Sequence, residues 1–315
     1  MNPLLRAVAL LAALSGLGCA LFEPEPGPLP TLELPPAEFH PTEQDVPDLG
    51  AYQTSALWLA KCPIGSFYLF GSTRVAPEMG YAVFGPVVAA AFEESQEIVN
   101  EIDLGAVEPA RTVALMKRYG TLKAPATLKE RVSPETWKLL EQRFTSSHRS
   151  TSAVRSLQPW LVSFGLANHA SLESGRDALS EIAERVQERA QRAREGATKP
   201  IVGLRTLESQ FQMFAALPRG VQDVLLRSAL GAGDTDELLW SSPALIPQLA
   251  AKSPEREQLV EQLIYRRNEQ MADRLFQIGI DGKRRFVAVG ILHLVGERGI
   301  PALLGQRGYR IERVE

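Results

Sequence analysis

The sequence predicts an α/β fold: a mixed sheet built from N- and C-terminal strands, with a helical insertion between them. Three observations predict it. Short aromatic and β-branched runs stand at both ends of the globular part, as Leu57–Ala60 and Phe67–Phe70 near its start and Arg285–Val289 and Tyr309–Val314 near its close. A long stretch from about 107 to 196 carries helical periodicity instead. Strands separated by helical segments point to one sheet with packed helices rather than to a bundle or sandwich.

The elements follow in chain order. Ala56–Ala60 and Ser66–Gly71 flank Pro63-Ile64-Gly65 and read as a hairpin. Pro86–Glu94 reads as a helix, and Glu97–Ile102 as a buried strand. Ser133-Pro134 is a helix start, with a capping hydroxyl and Pro in the first turn. Leu179, Ile182, Val186, Ala190 and Ala193 form one apolar stripe, with Glu181/Arg185 and Glu188/Arg192 spaced as i,i+4 pairs. Lys199–Leu204 is a strand candidate, and Thr206 precedes a helix whose inward positions are Leu207, Gln210, Phe211 and Phe214. Ser253-Pro254 opens a long helix to about Ile278, with Val260, Ile264, Arg267 or Asn268, Met271, Leu275 and Ile278 inward. A strand at Arg285–Val289, a helix at about Gly299–Arg307 and a strand at Tyr309–Val314 complete the chain.

The residues before 50 are of another kind. Met1–Arg6 carries one positive charge, Ala7–Leu14 is apolar, and Ser15-Gly16-Leu17-Gly18 leads to Cys19. The apolar run is shorter than the ~20 residues that a membrane span needs, and the order is that of a secretory signal over residues 1–18. Cys19 is then expected as a lipidated first residue, although Gly16 stands where a lipobox usually has Leu. Ordinary signal cleavage is the alternative. Residues 19–49 hold eight prolines and seven acids, with no Lys or Arg before Lys61. That composition favours an extended acidic tether. The only other cysteine is Cys62, so acylation of Cys19 would exclude an intrachain disulfide, and a Cys19–Cys62 bridge is the competing expectation.

The 315 residues carry 34 Lys+Arg against 37 Asp+Glu, a net charge of −3. This balance argues against nucleic acid as a partner. There is no P-loop, nucleophile elbow, H-E-x-x-H or C-x-x-C. Of four histidines, His40 lies in the tether, while His148 and His169 lie in polar surroundings. His293 follows a strand as Gly290-Ile291-Leu292-His293. Polar groups just past the carboxyl ends of strands line the ligand crevice in α/β folds. A buried, hydrogen-bonded histidine with no functional role is the competing reading. Arg267 and Asn268 fall on or beside the apolar stripe of their helix, and a buried guanidinium requires a partner. Glu101 and Asp103, at the end of another strand, are candidates.

These segments together resemble the TraB/GumN family, which is similar to Tiki-type metal-dependent proteases. The resemblance runs from about Leu57 to Val314. It is carried by Tyr68–Val75, Ala91–Ser95 leading to Glu101-Ile102-Asp103, Pro200–Thr206 with Gln210, Arg267-Asn268 with Met271, and Phe286–Gly296 with Gly308-Tyr309. It implies two facing Gly-x-x-His motifs with acidic residues nearby, an arrangement that holds a divalent metal and activates water. Gly290–His293 keeps the second motif, and Glu101, Arg267 and Asn268 keep their places. The first motif reads Gly71-Ser72-Thr73-Arg74, with Arg for His, and Gly203-Leu204-Arg205 has Arg where Glu is usual. Guanidinium cannot ligate a metal, and near one it repels it.

The expectation is a membrane-anchored envelope lipoprotein, exported and catalytically degenerate, with no metal cofactor. Arg74 or Arg205 would pair with Glu101 in the metal's place. Arg74, Arg205, Arg267, Asn268, Gln210, Gly71 and Gly290 would surround an anionic ligand or peptide. The rival expectation is an active peptidase-like hydrolase using His293 and Glu101, with or without Mn, Co or Zn. A structural envelope protein without a ligand is the third.

Overall fold

The computed structural model describes residues 57–72, 86–103, 109–146, 150–173, 199–231, 250 and 252–314. The signal, the tether with Cys19, the stripe at 179–193, His148 and Arg74 lie outside the described residues. The described residues divide into two compact units, one drawn from the segments 16–106, 178–206 and 263–315 and the other from 107–177 and 207–262. No described helix is long and apolar enough to cross a membrane.

The first unit is built on a six-stranded mixed sheet. Its strands are β1 (Leu57–Cys62), β2 (Gly65–Ser72), β3 (Glu97–Ile102), β4 (Ile201–Arg205), β5 (Arg284–Gly290) and β6 (Arg310–Arg313), in the order β4-β3-β5-β2-β1-β6. The β1–β2 hairpin and the β1–β6 pair are antiparallel, whereas β2–β5, β5–β3 and β3–β4 are parallel. The inner strands β2, β3 and β5 are largely buried on both faces, which is why they read as nearly continuous apolar runs.

Alternation sorts their side chains. Phe67, Leu69, Val99, Val287 and Val289 face a core shared with Met271, Leu275, Ile300 and Leu304. These last four come from helices α9 (Arg266–Ile278) and α10 (Ile300–Gln306). Tyr68, Phe70, Ile98 and Phe286 face the other way, against Val88, Ala91 and Phe92 of α1 (Pro86–Glu94). Phe286 is fully buried, stacked on Phe70 at 5.7 Å and edge-on to Phe92 at 5.4 Å. Burial of such a ring contributes about 1.5–3 kcal/mol.

At Gly65 the start of β2 presses on the turn after α9. A Cβ there would lie 2.2 Å from the Gly279 carbonyl oxygen, so no side chain fits.

The edge strand β4 begins later than its apolar pattern suggests. Lys199 and Pro200 precede it, although the Pro200 carbonyl still accepts from Ile98 N at 2.9 Å. The Lys199 ammonium is buried, donates to the Phe92 and Glu93 carbonyls and sits 4.7 Å over the Phe92 ring. It thus caps the C-terminus of α1, where a cation satisfies carbonyls that the helix leaves open.

The second unit is helical. It comprises α2 (Pro109–Gly120), α3 (Leu128–Arg131), α4 (Pro134–Ser146), α5 (Pro159–Glu173), α6 (Leu207–Ala216), α7 (Arg219–Ala229) and α8 (Pro254–Val260). Ser133 Oγ accepts from Thr136 N at 3.2 Å, so the Ser-Pro start of α4 is a true cap. Leu122, Leu128, Leu140, Val162 and Leu226 form its core. Trp160 packs against Phe211 and Phe214 at 5.4 and 5.7 Å.

The long helix expected from Ser253 to Ile278 is not uniform. Ser253 Oγ caps α8 by accepting from Arg256 N at 3.3 Å, but Glu261–Tyr265 forms a π-turn before α9. Its i→i+5 hydrogen bonding interrupts the regular α-helical ladder.

Candidate functional site

The carboxyl ends of β3 and β5 bring the candidate residues of the sheet unit together. β3 ends at Glu101-Ile102, and β5 ends at Gly290, followed by a 3-10 turn, Ile291–His293. That turn brings the imidazole of His293 back over the strand ends. The residue is only 7% exposed. Gly290 has ordinary extended backbone, and a Cβ on it would meet His293 Cδ2 at 3.7 Å. Its glycine therefore leaves room beside the ring rather than supplying a special conformation. Gly71 is opposite Val289 in the β2–β5 register, which sets the two glycine segments side by side at neighbouring strand ends.

Helix α9 supplies the next layer. Asn268 is fully buried, and its Nδ2 donates to the Arg298 carbonyl at 2.7 Å. That bond turns Asn268 Oδ1 towards His293 Nδ1, 2.7 Å away. An amide oxygen only accepts, so Nδ1 must carry the proton. Burial, then the nearby Arg267 and Arg205 charges, hold the imidazole pKa well below 6.5. His293 is accordingly neutral, with a bare lone pair on Nε2. Arg298 is itself fixed, 4.2 Å over the Tyr265 ring and 2.8 Å from Glu269.

Glu101 faces that lone pair, with Oε2 4.0 Å from His293 Nε2. Its other oxygen, Oε1, is ion-paired with Arg267 Nη2. Arg267 also donates from Nη1 to the Leu263 carbonyl at 3.2 Å, and burial lowers its pKa to about 10. The partner of Glu101 among the described residues is thus Arg267, not Arg205. Arg205 closes β4 opposite Ile102. Its Nη1 is buried and has no hydrogen-bond partner among the described residues, and burial lowers its pKa. Gly203 permits this arrangement, because a Cβ there would lie 2.6 Å from the Asp103 backbone nitrogen.

Gln210 lies on α6 in the helical unit, with a buried Oε1 that has no hydrogen-bond partner among the described residues. The sequence reading missed the Arg298 carbonyl that orients Asn268. Nothing in a sequence marks a backbone acceptor of this kind.

The donor set is a poor one for the divalent metal that the resemblance implies. Among the described residues no three His, Cys, Asp or Glu side chains converge. The two nearest donors are His293 Nε2 and Glu101 Oε2, and Glu101 already carries a guanidinium on its other oxygen. Arg205 acts on the same imidazole. Two cations beside two donors disfavour a third, doubly charged one.

The neutral state of His293 has a consequence for stability. Its pKa is lowered in the fold, so below about pH 6.5 the unfolded chain takes up a proton that the folded chain refuses. Stability is expected to fall as pH drops from there, by up to ~1.4 kcal/mol per unit. Urea unfolding between about pH 5 and 6.5 measures it, and His293→Gln should flatten the slope. An equal slope in that variant would place the proton uptake elsewhere.

Residues 56–313 match the TraB/PrgY/gumN family. No curated protein and no solved structure matches the chain.

Proposed function

From the premise that this chain belongs to the TraB/PrgY/gumN family, we propose that it is an exported, lipid-anchored member that binds an anion and does not use a catalytic metal. Cys19 would carry the lipid, and the acidic Pro-rich residues 19–49 would hold the domain away from the bilayer. The observation that carries the binding reading is Arg205 Nη1, a buried donor with no hydrogen-bond partner among the described residues. Leaving such a group unmatched costs about 1–3 kcal/mol, more when it is charged, and an anionic oxygen would satisfy it. Among the described residues the ion-pair partner of Glu101 is Arg267, on Oε1.

Calorimetric titration of the mature protein with acetate and with inorganic phosphate tests this. Binding of at least one of them is expected, weakened about tenfold or more in Arg205→Gln. Purified protein holding one equivalent of Mn, Co or Zn, lost in His293→Ala, would overturn the metal-free site.

A second reading keeps catalysis. The bare Nε2 of His293, oriented by Asn268, is placed as a general base should be. Peptide turnover in chelator-treated protein, abolished by His293→Ala, would favour it over binding alone.

A further inference from the structure

The hydrogen-bonding pattern at the strand ends restricts the anion further. His293 Nε2 and Glu101 Oε2 stand 4.0 Å apart, and both only accept. The separation is too long for a hydrogen bond between them, and neither atom has a proton to give. Asn268 makes this arrangement fixed rather than adjustable. Its Nδ2 is committed to the Arg298 carbonyl, so the imidazole cannot exchange its tautomer without breaking a buried bond. Arg205 presents the opposite character, a buried donor without a hydrogen-bond acceptor among the described residues. A matching ligand therefore brings a hydrogen donor to His293 and an anionic oxygen to Arg205.

The donor's charge is restricted too. Arg267 offsets the Glu101 charge and Arg205 adds a second cation, so an ammonium would enter a site of net positive charge. A neutral N–H meets the same lone pair without that repulsion. Neutral N–H and carboxylate, one carbon apart, occur together at the carboxyl end of every peptide that does not end in proline. There the last amide N–H and the terminal carboxylate are both free of other obligations.

We infer that this site takes the C-terminus of a peptide, with its last amide N–H donated to His293 Nε2 and its carboxylate held by Arg205. Glu101 Oε2, 4.0 Å from His293 Nε2, stands on the same side as a second acceptor for this hydrogen, and Arg267 holds the carboxylate in place. The inference rests on the anion-binding reading above and narrows it to one chemical class.

Calorimetry on the mature wild-type protein separates the two, using four small probes: acetate, N-acetyl-L-alanine, its N-methyl derivative and free L-alanine. N-acetyl-L-alanine is expected to bind about tenfold or more tighter than acetate, which is the value of one well-made hydrogen bond. N-methylation, which removes the N–H and keeps the carboxylate, should return the affinity to that of acetate. These comparisons use only the wild-type protein, so they stand even where a variant at the buried His293 does not fold. Where His293→Ala does fold, it should bring N-acetyl-L-alanine down to the level of acetate. Equal affinities for acetate and N-acetyl-L-alanine would overturn the peptide inference and leave the anion reading intact. Binding of none of the four would overturn the peptide inference, and failure of inorganic phosphate as well would overturn both. Tighter binding of L-alanine than of its N-acetyl derivative would overturn the neutral-donor argument, because an ammonium would then be the preferred partner of His293.

Discussion

Arg285→Met is expected to destabilise the protein by about 3 kcal/mol, without weakening anion binding. Arg285 is 2% exposed at the amino end of β5. Its Nε donates to Glu97 Oε2 at 2.7 Å, and its Nη1 and Nη2 donate to Asp281 Oδ1 and Oδ2 at 2.8 and 2.6 Å. Glu97 and Arg285 are register partners in the β3–β5 ladder, so the pair is set by sheet pairing itself. Methionine fills much of the volume but leaves the Glu97 carboxylate, in a largely buried place, with Lys283 as its one ion-pair partner among the described residues. Removing one partner of a buried pair costs about 3–5 kcal/mol, and the remaining lysine argues for the lower end. Native domains have only about 5–15 kcal/mol in total, so the change should be plain in urea or thermal unfolding.

Asp281 also loses by this substitution. The hydrogen bond from Arg285 is the main reason that its carboxyl is held down at about 2. A depressed carboxylate contributes stability that is present above its unfolded value near 3.8 and lost as pH falls towards 2. The acid limb of the stability curve should accordingly become shallower in Arg285→Met. A loss under about 1 kcal/mol would mean that the network is merely an accessory to apolar packing. Since the strand amino ends carry this network and the carboxyl ends carry His293, anion affinity serves as the control.

How much of this could be read from residues alone depends on which forces act locally. The hairpin, α1 and β3 are legible because apolar runs and Pro or Gly breaks mark them directly. The π-turn at Glu261–Tyr265 is not legible. Val260, Ile264, Asn268, Met271 and Leu275 are buried at spacings of three and four, which a regular helix would also give. The late start of β4 escaped because the Lys199 side chain serves a helix distant in sequence.

In the site, residue types were legible but partnerships were not. The sequence offered Glu101 and Asp103 to Arg267, and also gave Glu101 to Arg74 or Arg205. The structure assigns Glu101 to Arg267, leaves Arg205 without a hydrogen-bond acceptor for Nη1 among the described residues, and does not describe Arg74. Charge pairing between distant segments depends on which strand ends meet, and periodicity carries no such information.

The Glu101–Arg267 pair can be weighed by removing each member. Arg267→Met should cost about 3–5 kcal/mol, since it strands a partly buried carboxylate opposite an imidazole lone pair. Glu101→Gln alone should cost less. Arg267 would keep its bond to the Leu263 carbonyl, and its pKa of about 10 is already lowered by burial. The double variant, with neither charge, should recover much of the stability lost in Arg267→Met, and a double-mutant cycle reads the coupling directly.

The same variant alters the chemistry of His293. Among the neighbouring charges that hold its proton affinity down, Arg267 acts most strongly. Without it, Glu101 faces the ring uncompensated, and the imidazole should protonate at higher pH. Histidine NMR titration would show that rise, and it should shrink in the double variant, where the carboxylate is gone but the relief from the Arg267 charge remains. A site whose Nε2 is charged no longer accepts an N–H, so N-acetyl-L-alanine should lose its advantage over acetate in Arg267→Met as the pH is lowered. If the His293 titration is unchanged in Arg267→Met, that guanidinium does not control the ring, and burial together with Arg205 keeps His293 neutral.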